Sequence, residues 1–166
     1  DLLDKKDAVS NCVFNLYISK SGELWVGNYS TGIYRFEAKT ETFVPVKLPV
    51  GQISYYTIRD ILCDSRNDMW FATEFNGLIW MDRETGEFES FIHEETDSNS
   101  LINNSINVIY EDSKNRLWVG ADDGGLSLFN RTNKSFQHYT TENGLPDNTI
   151  VGILEDQKGD LWLSSH

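Results

Sequence analysis

Four tryptophans, Trp25, Trp70, Trp118 and Trp162, are separated by 45, 48 and 44 residues. The frame they set holds at many other positions. Twelve before each indole stands a β-branched residue: Val13, Ile58, Ile106 and Ile150. Nine before come Leu16, Ile61, Ile109 and Ile153, and one before come Leu24, Met69, Leu117 and Leu161. Seven after come Gly32, Gly77 and Gly125; eleven after, Phe36, Met81 and Phe129; eighteen after, Phe43, Phe88 and Phe136. A register kept through every complete unit is an internal repeat, and a repeat this long restricts the fold to a stacked architecture.

Each unit reads as four short strands. In the third unit, 106–111 is nearly continuously apolar, as a strand covered on both faces would be. Strands at 117–120 and 126–129 follow, and a polar turn leads to 136–139, which alternates like an outer strand with one wet face. Three residues before each indole stand Gly22, Asn67, Asn115 and Gly159. These residue types enter the left-handed region most readily, so the spacing predicts a hairpin with positive φ there. Six before each indole stand Ser19, Asp64, Asp112 and Asp156, whose side-chain oxygens suit backbone N–H groups inside that turn. Turn capping is the preferred role for these carboxylates over metal binding or catalysis.

Units of about 45 residues, each a four-stranded antiparallel meander, predict an all-β fold of β-propeller type. The in-register aromatics form the packing layer between blades, at roughly 1.5–3 kcal/mol for each large side chain buried. The expected division is an entering loop at 1–12, blades at 13–57, 58–105 and 106–149, and the first two strands of a fourth blade at 150–166. This is an arc of three complete blades and half of another. Closed propellers have roughly 4–8 blades. The arc is expected to be a piece of a larger protein or to close by assembly, so self-association through its open blade faces is predicted.

Composition narrows the function. Asp and Glu number 26 against 14 Lys and Arg, a net charge of −12. Such a surface repels phosphate backbones and anionic lipid, so nucleic acid and the membrane are not expected partners. No apolar run approaches the roughly 18–20 residues of a membrane helix, and residues 1–6 lack a signal pattern. Two cysteines and three scattered histidines supply neither a disulfide framework nor a zinc set, and no metal or cofactor is expected. The adjacent carboxylates Asp122 and Asp123 fall far short of the roughly 6–8 oxygens calcium takes.

The phrases Asn104-Ser-Ile-Asn-Val-Ile-Tyr-Glu-Asp-Ser-Lys-Asn-Arg-Leu-Trp-Val-Gly120 and Gly125-Leu-Ser-Leu-Phe129 resemble the two-component regulator propeller repeat, as does the run from Phe136 to Ile150. That repeat fills the sensor region of hybrid two-component systems of Bacteroidetes type. The resemblance implies a periplasmic, non-enzymatic ligand sensor for a glycan-derived oligosaccharide, signalling to a histidine kinase outside this chain. Periplasmic placement raises the disulfide question. Cys12 precedes the first strand of one blade and Cys63 lies near the far end of the matching strand in the next. About five residues separate their levels, at roughly 3.3 Å each, which exceeds the ~7 Å Cα limit for a bridge. Two unpaired, buried thiols are expected.

In such a meander the loops entering each first strand share a face with those joining second and third strands, and scaffold loops carry function. That face collects Tyr29, Tyr55, Tyr56, Phe75, Asn76, Asn103, Asn104 and Asp122. Aromatic faces with amide and carboxylate groups suit sugars. The opposite face reads as solvated hairpins. Two alternatives stand beside the sensor. Asp68-Met-Trp-Phe-Ala-Thr-Glu-Phe-Asn-Gly77 resembles the blade phrase of streptogramin lyases, which implies a propeller enzyme, but the catalytic histidine of that family has no counterpart on the loop face. A protein-interaction scaffold is the other.

Overall fold

The computed structural model describes residues 12–48 and 56–165. Fourteen strands form four antiparallel sheets in chain order. The first sheet comprises β1 (Val13–Ile18), β2 (Leu24–Asn28), β3 (Ile33–Glu37) and β4 (Thr42–Val46), and the second β5 (Ile58–Cys63), β6 (Met69–Thr73), β7 (Leu78–Met81) and β8 (Phe88–Phe91). The third holds β9 (Ile106–Glu111), β10 (Leu117–Ala121), β11 (Leu126–Asn130) and β12 (Ser135–Tyr139), and the fourth β13 (Ile150–Glu155) and β14 (Leu161–Ser165). One 3-10 turn, Thr141–Asn143, is capped by Thr140. The molecule is an all-β propeller arc. The first strands β1, β5, β9 and β13 are neighbours in space, and this inner row begins at what we call the upper end.

The first hairpin of each unit explains the repeat. Gly22, Asn67, Asn115 and Gly159 have φ of 83°, 71°, 59° and 86°. Asp64 takes the N–H groups of Arg66 and Asp68 on one carboxylate oxygen and the Trp70 indole, at 2.8 Å, on the other. Asp112 does the same for Lys114, Arg116 and Trp118, and Asp156 for Lys158, Asp160 and Trp162. Capping was the predicted role; the indole bond is an addition that links hairpin to core. Burial raises the Asp112 pKa, but the bonds from Trp118, Arg116 and Lys114 outweigh it and hold the carboxyl below its ordinary value. Ser19 caps only Glu23 N–H, at 3.1 Å, and the buried Trp25 Nε1 has no hydrogen-bond partner among the described residues.

Each indole packs onto the following sheet. Trp25 shares a core with Ile58, Met69 and Phe71; Trp70 with Ile106, Ile109 and Phe129; Trp118 with Ile150. Exposure follows: Trp25 3%, Trp70 2% and Trp118 6%, but Trp162 64%. Trp162 keeps its aspartate bond and lacks the covering sheet. Two residues after the indole the side chain must be small. A Cβ on Gly27 would sit 2.8 Å from Ile58 Cγ2, and one on Gly120 would sit 2.8 Å from Ile150 Cγ2. Ile58 and Ile150, which open their first strands, thus seat against the preceding sheet. At the other open face, Val13, Phe14, Leu16, Ile18 and Phe43 are exposed.

Lower-end bonds repeat the same logic between sheets. Glu111 accepts the N–H and hydroxyl of Ser65, and Glu155 those of Ser113. Arg131 of the third sheet bonds Asp64 at 2.8 Å and Glu111 at 3.1 Å. Both cysteines are unpaired, but only Cys63 is buried. The expectation of two buried thiols is corrected for Cys12, which is exposed because it lies on the uncovered first sheet.

Candidate functional site

Each first strand is bulged one residue after it begins. The pairing registers break between Val13 and Asn15, between Ile58 and Asp60, opposite the Gly120/Ala121 step, and between Ile150 and Gly152. A bulge leaves one residue out of the ladder and re-aims its side chain. The bulged residues are Phe14, Arg59, Asn107 and Val151, side by side along the inner upper rim. The residue before each is β-branched (Val13, Ile58, Ile106 and Ile150), whereas these four differ from one another.

The middle of this rim is polar and connected. Arg59 bonds Asn107 Oδ1 of the next sheet with one guanidinium nitrogen and Glu74 Oε1, at 2.8 Å, with the other. Asn107 Nδ2 in turn donates to the carbonyl of Ile150, at 3.1 Å. One residue deeper, Asp60 spans three sheets: Oδ1 accepts from Ile61 N–H at 2.9 Å and Asn15 Nδ2 at 3.3 Å, and Oδ2 accepts from Ile109 N–H at 2.9 Å. Burial pushes the Asp60 pKa above its ordinary value, and the bonds from Ile109, Ile61 and Asn15 work against that rise. Beside the polar centre Phe14 packs on Tyr29, with ring centroids 5.7 Å apart. Phe75 stands exposed in the next upper loop.

The upper-face residues expected from the sequence divide into two groups. Tyr29 and Phe75 present exposed rings, and Asp122 is half-buried with its carboxylate 3.4 Å from the Thr149 hydroxyl. Asn103 and Asn104 accept backbone N–H groups, from Ser105 at 2.8 Å and His93 at 2.6 Å, and so shape the connector between the second and third sheets. Asn76 is buried and its N–H is held by Thr73 Oγ1. Tyr56 packs against the first core and its carbonyl accepts Gly32 N–H. Tyr55 lies outside the described residues. Arg59, Glu74 and Asn107 were missed. For Arg59 and Asn107 the signal was a charged or amide residue directly after the β-branched residue that opens a repeating strand; Glu74, in the loop after β6, left none.

His138 belongs to the outer strand β12, where Nδ1 lies 2.8 Å from Ser127 Oγ, away from the upper rim. Burial lowers its pKa, against backbone bonds from Ser100 and Ser98.

Residues 100–123 and 144–166 match the two-component regulator propeller family. Among solved structures, the chain resembles the extracellular domain of the hybrid two-component system BT4673 from B. thetaiotaomicron, with 25% identity over 92% of this chain and a TM-score of 0.76. It also shares the fold of the extracellular domain of BT3049 from the same organism, at 24% identity over 95% of this chain and a TM-score of 0.75. Histidine kinase P4 of Formosa agariphila is 28% identical over 104 residues, 61% of this chain. The chain spans 20% and 21% of the two solved chains and 8% of the kinase. The family match is thus confined to residues 100–123 and 144–166, while the fold of nearly the whole chain is that of the extracellular domains of hybrid two-component systems.

Proposed function

We propose that this chain is a non-catalytic sensor arc of a hybrid two-component system, which reads a glycan-derived oligosaccharide in the periplasm and signals to a histidine kinase outside it. The observation that carries the reading is the upper rim. A salt-bridged Arg59–Glu74 pair and Asn107 lie in one row with Phe14 and Tyr29, whose rings pack tilted on each other, all delivered by bulges or loops of the scaffold. Aromatic faces receive the apolar C–H side of a sugar, and the guanidinium, amide and carboxylate serve ring hydroxyls. Binding would act by favouring one arrangement of the receptor over another. The extracellular two-component domains that share the fold support the placement outside the cytoplasm.

Calorimetry of the full-length protein against a panel of neutral and acidic oligosaccharides tests this. At least one oligosaccharide should bind, and Phe75→Ala and Arg59→Ala should each weaken it by about tenfold or more, equivalent to about 1.4 kcal/mol. Phe75 is exposed, so its replacement leaves the core intact. A panel without a binder, or affinities untouched by both substitutions, would overturn the reading.

A further inference from the structure

The lower end, where the sequence reads only as solvated hairpins, contains a crevice of about 150 Å³ between the second and third sheets. Its walls are aromatic: Trp70, Trp80, Phe91 and Phe129. Its origin is a difference between two junctions. At the first, Glu23, two residues before the indole, receives Arg83 of the following sheet. At the second, the corresponding residue is Asp68, one carbon shorter, and Arg131, the counterpart of Arg83, turns to Asp64 and Glu111 instead. The space between Asp68 and Arg131 is left open. Trp80 lines it, at a place where the first and third sheets carry Arg35 and Leu128, so the repeat itself does not require an indole there. Burial raises the Asp68 pKa, and the neighbouring Trp80 side chain works against that rise.

A cavity of about 150 Å³ with apolar walls accommodates one six-membered ring. The polar groups at this one are mixed in sign. Lys134 pairs with Glu89 at 2.5 Å and lies over the Trp80 ring. The Arg66 side chain forms no ion pair among the described residues and stands beside Asp68 at the mouth. A cation entering would meet Arg66 and Lys134, and an anion would meet Asp68 and Glu89. A neutral polyhydroxylated ring meets donors and acceptors together.

We propose that this crevice is a second saccharide subsite, taking one neutral pyranose ring against Trp80. The proposal rests on the carbohydrate reading above but on different residues. Saturation-transfer NMR on the full-length protein with glucose, galactose and mannose, and with glucuronate and glucosamine as charged controls, tests it. At least one neutral hexose should bind in the millimolar range, and the charged sugars about tenfold more weakly. Trp80→Leu, which installs the residue the third sheet already carries, should weaken binding about tenfold or more, and Trp80→Phe should retain most of it. Phe75→Ala at the upper rim should leave it unchanged. Absence of transfer to any neutral hexose, or equal transfer in Trp80→Leu, would overturn the proposal. Loss in Phe75→Ala with retention in Trp80→Leu would also overturn it, while supporting the upper-rim reading.

Discussion

One carboxylate per hairpin ties the turn, the indole and the next sheet together. The first unit breaks the rule, since Ser19 reaches the turn but Trp25 Nε1 is buried without a hydrogen-bond partner among the described residues. An unsatisfied buried donor costs about 1–3 kcal/mol and a restored bond recovers about 1 kcal/mol. Ser19→Asp should therefore raise the stability of the chain by about 1 kcal/mol in urea denaturation. An unchanged or lowered midpoint would contradict the account. Asp60 gives the opposite case. Its folded pKa lies above its unfolded value, so its contribution is complete below the ordinary 3.8 and is lost as pH rises through the folded value. Asp60→Asn should flatten stability against pH between the ordinary 3.8 and that folded value; an unchanged pH profile would argue against it. The indole bond to aspartate was half legible: the six-residue spacing is plain in the sequence, but spacing alone cannot say that a carboxylate oxygen faces the ring nitrogen.

At the level of strands and turns, readability depended on whether geometry leaves a chemical trace. The first hairpin does, because its left-handed position recurs as Gly22, Asn67, Asn115 and Gly159. The turn between third and fourth strands does not. Glu41, Gly86 and Lys134 occupy its left-handed position with φ of 54°, 74° and 56°, and share no property. Strain of about 1–2 kcal/mol is expected for a side chain held there, so Glu41→Gly should stabilise by up to about 1 kcal/mol by thermal melting. The inner-strand bulges left a subtler trace: the β-branched residue before each repeats while Phe14, Arg59, Asn107 and Val151 vary. Binding residues were therefore sought in the loops, where Asn103 and Asn104 hold backbone N–H groups of the connector. Sheet-to-sheet contact is equally specific. Gly120→Val would force side-chain atoms into Val108 and Ile150, which lie within 2.8 Å of even a Cβ. A loss of about 1–3 kcal/mol is expected, and an unaffected melting temperature would refute this packing.

Over the whole molecule, the arc offers two dissimilar apolar ends. Val13, Leu16, Ile18 and Phe43 face outward at one, and Leu154 and Trp162 at the other. Inside the arc, surfaces of the same two kinds close on each other at every junction. The 166-residue chain by itself should therefore associate head to tail, countered by its net charge of −12. Light scattering should show a mass that rises with salt; a monodisperse monomer at micromolar concentration would contradict this. An arc built this way keeps repeated carboxylate bonds at its lower end and residues that differ from sheet to sheet on its upper rim. Hydrogen exchange of the full-length protein, with and without an oligosaccharide found to bind it by calorimetry, tests that division directly. The account predicts slowed exchange in the upper loops at 28–32, 74–77 and 121–125. Protection absent from those loops, and confined to segments remote from both faces, would contradict it.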